Sequence, residues 1–320
     1  MEEKILEVNG LKKYFKTPHG QLHAVDDVSF TLSAGKTLGV VGESGCGKST
    51  LGRVILRLID ATAGTVLFDG RDILRCSKKE MRALRKEMQI IFQDPYESIN
   101  PRMSIGELIA EPLIVNAVCK GAEMDQKIRE LMDTVGLASR LINSYPHELD
   151  GGRRQRIGIA RALAVSPKFI VCDEPVSALD VSIQAQILNL MQDLQEEAGF
   201  TYLFISHNLS VVKHISDDIM VMYLGQVVEK ASKADLFRAP LHPYTRALLE
   251  AIPIPKLSSR GRKREILQGE IKSPIEPPEE CRFAGRCRFA TEACRRGVPP
   301  LREIQPGHYV ACIRAEEELK

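Results

Sequence analysis

Apolar and polar residues alternate near the start of the chain, where Val28, Phe30 and Leu32 share one face before a turn at Ser33-Ala34-Gly35, the period of a half-buried strand. The pattern then changes. Thr37 to Val41 reads as an apolar strand, Gly42 to Gly47 as a glycine-rich loop, and Ser49 to Arg57 as a helix by the spacing of Leu51, Ile55 and Leu58. The cycle recurs from a helical stretch over Arg156 to Val165, through the strand Phe169 to Cys172, to a helix over Ile183 to Glu197. A third pairs the strand Tyr202 to Ile205 with a helix over Leu209 to Ile215. Strands alternating with helices predict an α/β fold whose mostly parallel sheet is covered on both faces.

Between Pro101 and Leu149 no strand is legible. Ile105, Leu108 and Ile109, then Ile128, Leu131, Met132 and Val135, recur at helical spacing, which predicts an inserted helical subdomain over about residues 99 to 165. Past residue 238 the composition shifts to prolines (Pro240, Pro243, Pro253, Pro255, Pro274, Pro277, Pro278) and a basic run from Arg260 to Arg264. The expected organisation is a core over 1–238 and a C-terminal extension over 239–320.

Lysine and arginine total 44 against 42 acids, a formal charge of +2, which disfavours a nucleic-acid partner. Apolar stretches such as Thr201 to Ile205 fall far short of the roughly 20 residues of a membrane-spanning helix. Met1-Glu2-Glu3-Lys4 does not open a secretory signal, so a cytosolic location is expected. Of the eight cysteines, Cys46, Cys76, Cys119 and Cys172 are scattered, whereas Cys281, Cys287, Cys294 and Cys312 crowd into the extension. In a reducing compartment such a quartet points to a metal site rather than to disulfides.

The candidate chemistry is phosphate chemistry. Gly42-Glu43-Ser44-Gly45-Cys46-Gly47-Lys48-Ser49, followed by Thr50, fits G-x-x-x-x-G-K-[ST] and stands between a predicted strand and a predicted helix. Glycines let successive N–H groups face phosphate oxygens, Lys48 neutralises charge and Ser49 can ligate Mg2+. Asp173 and Glu174 end a buried strand, where an open α/β sheet presents its chemistry. Asp173 can hold magnesium through water, and Glu174 can orient or deprotonate the water that attacks a terminal phosphate.

Taken with four further motifs, residues 1 to about 238 resemble the ATP-binding subunit of an ABC transporter, which implies a P-loop NTPase core. Gln93, in Ile91-Phe92-Gln93-Asp94, resembles the Q-loop, and Leu149-Asp150-Gly151-Gly152-Arg153 stands at the signature position. Ser177-Ala178-Leu179-Asp180 is similar to the D-loop, and His207 matches the switch histidine. The resemblance implies two such chains, head to tail, enclosing two ATP molecules, each between one chain's phosphate loop and the other's signature. Lys48, Ser49, Gln93, Asp173, Glu174 and His207 would serve one nucleotide, with Gln93 also a Mg2+ ligand. An aromatic ring should stack on adenine; Phe15 aligns best, with Tyr14 the alternate, and simple strand packing is the other account of Phe15.

The family's signature reads Leu-Ser-Gly-Gly-Gln, whereas here Asp150 stands at the serine and Arg153 at the glutamine. Asp150 is still a good helix N-cap. Its carboxylate cannot donate to a γ-phosphate as a serine can, and its charge opposes the anion. This implies either unequal sites, completed by a second, similar subunit in a heterodimer, or a tolerated Asp.

Ala239-Pro240-Leu241-His242-Pro243-Tyr244-Thr245 resembles the extension of ATPases that serve oligopeptide and dipeptide importers. That implies two membrane permeases, an extracytoplasmic peptide-binding protein, a place on the cytoplasmic face of the membrane, and docking through Asp94 to Met103. Nickel and oligosaccharide importers share the extension. A soluble ABC ATPase and a regulatory module with vestigial hydrolysis are the rival classes. The gaps in Cys281-x5-Cys287-x6-Cys294-x17-Cys312 do not suit paired zinc ligands. They are wide enough for a [4Fe–4S] cluster, and the spacing is similar to that of members suspected of carrying one; zinc and unligated thiols stay open. Arg282, Arg286, Arg288, Arg295 and Arg296 are expected to crowd the quartet and offset a cluster's charge.

Overall fold

Fully apolar runs become buried strands. The computed structural model describes residues 3–94, 99–252, 269 and 273–316. The chain divides into two compact units, the first made of the described part of Met1–Ile5, Ser33–Lys36 and Arg75–Ile205, the second of Leu6–Leu32, Thr37–Leu74 and Ser206–Lys320.

In the first unit, strands β6 (Met88–Ile91), β7 (Phe169–Asp173) and β8 (Thr201–Ser206, whose last residue falls in the second unit) run parallel, with Ile91 opposite Cys172 and Asp173 opposite Ile205. Every residue of β7 and β8 is buried, as parallel strands covered on both faces require. Helix α2 (Lys78–Glu87) starts from a capping box of Ser77 and Glu80, and α3 (Ile105–Val115) from one of Ser104 and Glu107; each box satisfies two otherwise orphaned N–H groups. Helices α4 (Ala122–Thr134) and α5 (Gly151–Leu163) pack on α3. They share a core of Leu108, Ile109, Leu113, Leu131, Met132 and Ile157. In α6 (Val181–Ala198) the stripe Ile187, Leu188, Met191 and Leu194 is buried, and Gly199, left-handed at φ 69°, ends the helix, the usual glycine stop.

In the second unit β1 (Lys4–Thr17, from Leu6 on), β2 (Gly20–Ser33, as far as Leu32), β4 (Ala63–Phe68) and β5 (Arg71–Asp72) form one sheet in the order β2-β1-β4-β5, with Leu6 opposite Phe68 in the antiparallel β1–β4 pair. A second run begins at β3 (Thr37–Val41), parallel to β9 (Asp218–Tyr223), which turns antiparallel into β10 (Gln226–Ser232). Two strands of the extension, β11 (Arg302–Gln305) and β12 (His308–Val310), continue this run, with Val310 opposite Glu229. Helices α1 (Lys48–Ile55), α7 (Leu209–Ile215), α8 (Lys233–Arg238) and α9 (Pro243–Glu250) complete the unit. Gly39 lets α7 sit close on β3, since a Cβ there would lie 2.2 Å from Val212 and 2.4 Å from Ser216.

The α/β fold with mostly parallel strands agrees with the expectation, while several boundaries shift. The helix after the glycine loop stops at Ile55, and Arg57 beyond it takes a left-handed φ of 50°. The helix that includes Arg156 starts at Gly151 under the Asp150 cap, as expected, and ends at Leu163 rather than Val165. Pro253, Pro255, the basic run 260–264 and residues 95–98 of the expected docking segment lie outside the described residues. Among the described residues no helix is long and apolar enough to cross a membrane.

Candidate active site

In the second unit, β3 delivers the chain into the glycine loop, and α1 carries it away. Gly47 adopts φ 102°, and a Cβ there would lie 1.9 Å from the Ala24 carbonyl oxygen; only glycine combines that dihedral with that approach. A Cβ on Gly42 would likewise lie 2.2 Å from the Met222 carbonyl oxygen. Lys48, only 4% exposed, curls over the loop and donates from Nζ to the carbonyls of Gly42 (2.8 Å) and Glu43 (3.0 Å). No side chain caps α1, so its first N–H groups face the loop hollow with the positive end of the helix. Cys46 is a packing residue here: its thiol is buried, burial pushes its pKa up, and its carbonyl accepts the Gly225 N–H at 2.9 Å. The cradle therefore suits a polyphosphate, with Ser49 and Thr50 in the first turn of α1.

Phe15 lies on β1, half-buried, with Lys13 Nζ 4.8 Å from its ring centroid. The alternate, Tyr14, is already engaged. Its ring stacks on His23 at 3.9 Å and 13° between planes, and its hydroxyl donates to Asp26. Burial first, then that carboxylate, push the phenol pKa up. His207 follows β8, exposed, just before the N-cap Asn208 of α7.

In the first unit, the register of β6 on β7 brings Gln93 and the acid pair to the same end of the strands, since Ile91 faces Cys172. Gln93 is exposed, Asp173 is 2% exposed and Glu174 is half-buried. Glu174 holds a left-handed φ of 48°, a conformation that costs a non-glycine residue about 1–2 kcal/mol. The turn is fixed from both sides: the Glu174 N–H donates to Ile205 O at 3.0 Å, and its carbonyl accepts the Ser177 N–H at 3.2 Å and hydroxyl at 3.1 Å. Asp180 is the exposed N-cap of α6.

Asp150 caps α5 by accepting the Arg153 N–H at 2.8 Å, and Arg153 Nε lies 3.5 Å from its other oxygen, both side chains being more than half exposed. The glycines behind it have a packing role that the sequence does not announce. A Cβ on Gly152 would lie 2.6 Å from Ile183 Cγ2, so α5 fits against α6 at that position only without a side chain, while one on Gly151 would press on Leu179, before α6, at 3.1 Å.

Cys281, Cys287, Cys294 and Cys312 are free thiols that line one small cavity together with His242 and Phe289. Burial, reinforced by the other three thiols, pushes Cys281 up to about 11, and burial raises Cys287 as well. Four thiols around one cavity suit an iron–sulfur cluster as a donor set. Among the described residues, however, no three of His, Cys, Asp and Glu gather as the ligands of a metal ion, so the expected metal centre is not seen as a preassembled site.

The arginine expectation needs correction. Arg282 donates to Asp26 and to the Leu224 carbonyl, and Arg286 grips Glu43 of the phosphate loop at 2.7 and 3.1 Å. Arg296 pairs with exposed Glu292 at 3.6 Å, and Arg288 stacks on Phe289 at 4.5 Å. Half-buried acids elsewhere in the unit, rather than the quartet, claim the first two.

Other residues missed in the sequence anchor the extension. Glu229, fully buried, accepts the N–H groups of Leu241 (2.7 Å) and His242 (3.0 Å) and pairs with His308 Nε2 at 2.7 Å. His242 Nδ1 accepts the Tyr244 N–H at 3.1 Å, and the buried Tyr244 hydroxyl accepts the Glu43 N–H at 2.9 Å. No local signal marks the distant pairs, whose members are up to 201 positions apart.

The chain is similar to known proteins over nearly its whole length. Residues 25–177 match the ABC transporter family model, and residues 228–294 match the oligopeptide/dipeptide transporter C-terminal region. A putative peptide import ATP-binding protein of Brucella ovis is 52% identical, covering 98% of both chains. The oligopeptide transport ATP-binding proteins AppF of Bacillus subtilis (50%, covering 97% of each chain) and OppF of Haemophilus influenzae (51%, covering 98%) are similar over the same extent. Among solved structures, the dimeric post-hydrolysis ATP-binding cassette MJ0796 bound to ADP and Pi superposes with TM-score 0.65 at 28% identity, covering 71% of this chain and 98% of that one. CbiO1 from Clostridium perfringens gives 0.66 at 27%, covering 74% and 92%.

Proposed function

The chain belongs to the ATP-binding subunits of ABC transporters named for peptide import, and from that premise we propose how its residues divide the work. It binds and hydrolyses ATP on the cytoplasmic face of the membrane, docked on two permease subunits, to energise uptake of di- and oligopeptides delivered by an extracytoplasmic binding protein. The observation that carries this is the cradle of Gly42 to Ser49, where two glycines leave room only for backbone and Lys48 bridges the loop carbonyls. The match of the extension to the peptide-transporter region favours peptide over nickel or oligosaccharide as cargo.

Loop N–H groups and Lys48 bind the phosphates, and Phe15 stacks on adenine. Mg2+ held by Ser49, Gln93 and Asp173 would supply charge neutralisation between the phosphates. Glu174 takes the proton of the attacking water, and His207 orients the terminal phosphate. Strain stored at Glu174 (φ 48°) is consistent with a side chain held in a working position. Glu174→Gln should keep ATP affinity and lower turnover by at least a hundredfold, the scale of a lost general base; hydrolysis near the normal rate would overturn the assignment.

The ATPases pair head to tail, each signature facing the partner's nucleotide, and Asp150 makes the two sites unequal in a heterodimer with a second, similar subunit. The quartet Cys281, Cys287, Cys294 and Cys312 holds a [4Fe–4S] cluster, supported by the cavity the four thiols share; a cluster takes thiolates set wider apart than one ion does. Iron and acid-labile sulfide in equal amounts on anaerobically purified protein, lost in Cys287→Ser, is the expected result. Zinc, or no metal, would remove the cluster and leave the ATPase untouched.

A further inference from the structure

Glu43, the second residue of the phosphate loop, is held by the extension at both its backbone and its side chain. Its N–H donates to the Tyr244 hydroxyl at 2.9 Å, and its carboxylate receives both terminal nitrogens of Arg286, at 2.7 and 3.1 Å. Its carbonyl takes Lys48 Nζ at 3.0 Å. The Arg286 side chain is 8% exposed and that of Glu43 26%, so this pair is shielded from water rather than waving at the surface. Hydrogen bonding to Glu43 pushes the guanidinium pKa up.

A carboxylate in a loop built to receive a polyanion works against its ligand. A two-pronged guanidinium cancels that charge and fixes the side chain, which a point-charge lysine does less well. Tyr244, packed edge-on to Tyr223 at 4.7 Å and tilted against Phe283 at 5.4 Å, fixes the backbone of the same residue. If the contacts only fastened the extension down, they could have fallen on any acid of the unit; they converge on one residue of the loop that also supports Lys48.

We propose that Arg286 and Tyr244, contributed by the C-terminal extension, are positioning residues of the phosphate loop, which they neutralise and hold in the conformation that accepts the nucleotide's phosphates. This rests on the loop's binding ATP, and it assigns the extension a share in the nucleotide site. The test is a titration of the full-length chain with Mg-ATP, read by a fluorescent ATP analogue, beside thermal unfolding. Arg286→Ala is expected to raise Kd about tenfold, the scale of a buried charge left unpaired. Arg286→Ala combined with Glu43→Gln should recover to within about threefold of the unaltered chain, because the opposing charge is gone. Arg286→Lys should fall between, and Tyr244→Phe, which keeps the ring and loses only the acceptor, should raise Kd about threefold.

A double variant as weak as Arg286→Ala alone would mean that the pair merely fastens the extension, and the proposal fails. It fails equally if Arg286→Lys and Tyr244→Phe both bind as the unaltered chain does, an outcome readable even if Arg286→Ala does not fold. An unaltered chain that binds no ATP, with Lys48→Ala indistinguishable from it, would overturn the ATPase assignment itself and is thereby told apart.

Discussion

His242 spends its working life uncharged. Burial lowers its pKa to about 4, against a weaker opposing pull from Glu229, and its Nδ1 is committed as an acceptor to the Tyr244 N–H. The folded pKa thus lies below the unfolded value near 6.5, so below that value the unfolded chain binds the proton more readily. The neutral ring's contribution is full above pH 6.5 and is lost as pH falls from about 6.5 to about 4, of order 3 kcal/mol in all. Acid unfolding followed by circular dichroism should show that limb, and His242→Gln should flatten it. At Gly47 the constraint is steric: Gly47→Ala must relieve a 1.9 Å contact with Ala24 O at φ 102°. We expect it to lower both the melting temperature and ATP affinity, by more than the roughly 1 kcal/mol of an ordinary glycine replacement.

At the level of elements, the start of α5 joins a close-packed turn to a carboxylate where the family's signature has a serine. Gly152 meets the packing demand of Ile183, while Asp150 supplies the cap, so a serine there would keep the helix. Asp150→Ser in the assembled ATPase pair should raise nucleotide occupancy at the site it faces about fivefold, the scale of a unit-charge contact of about 1 kcal/mol in water. Unchanged occupancy and turnover would show that the carboxylate is tolerated. The strand, loop and helix around Lys48 were legible because each is specified by neighbours within a few residues, and β7 because a parallel strand is apolar throughout. The cap at Asp150 and the start of α5 just after it were legible as well, whereas the packing reason for Gly152 was not, since it lies in Ile183, 31 positions later. Strands β11 and β12 were hidden: Arg302–Gln305 is mostly exposed and polar, and its partner β12 joins the sheet only through β10, some 80 positions earlier. The fate of Arg282 and Arg286 was invisible for the same reason, their acids lying 256 and 243 positions away.

Within the second unit as a whole, the extension is structural as well as functional. Glu229 is fully buried, and its two N–H donors and its histidine all come from residues 241 to 308. A chain ending before Leu241 would strip that carboxylate of all three partners and lay bare the edge of β10 that β12 covers, and should melt measurably lower than the full chain or fail to stay soluble. The grip of Arg286 on Glu43 has a last consequence, because linkage is reciprocal: whatever factor the docked extension adds to ATP affinity, ATP must add to the docking. Mg-ATP should then slow alkylation of Cys281 and Cys287 in the metal-free chain, and equal rates with and without nucleotide would show the two ends to be uncoupled. The energy charge of the cell would be written into the accessibility of thiols that never touch the nucleotide.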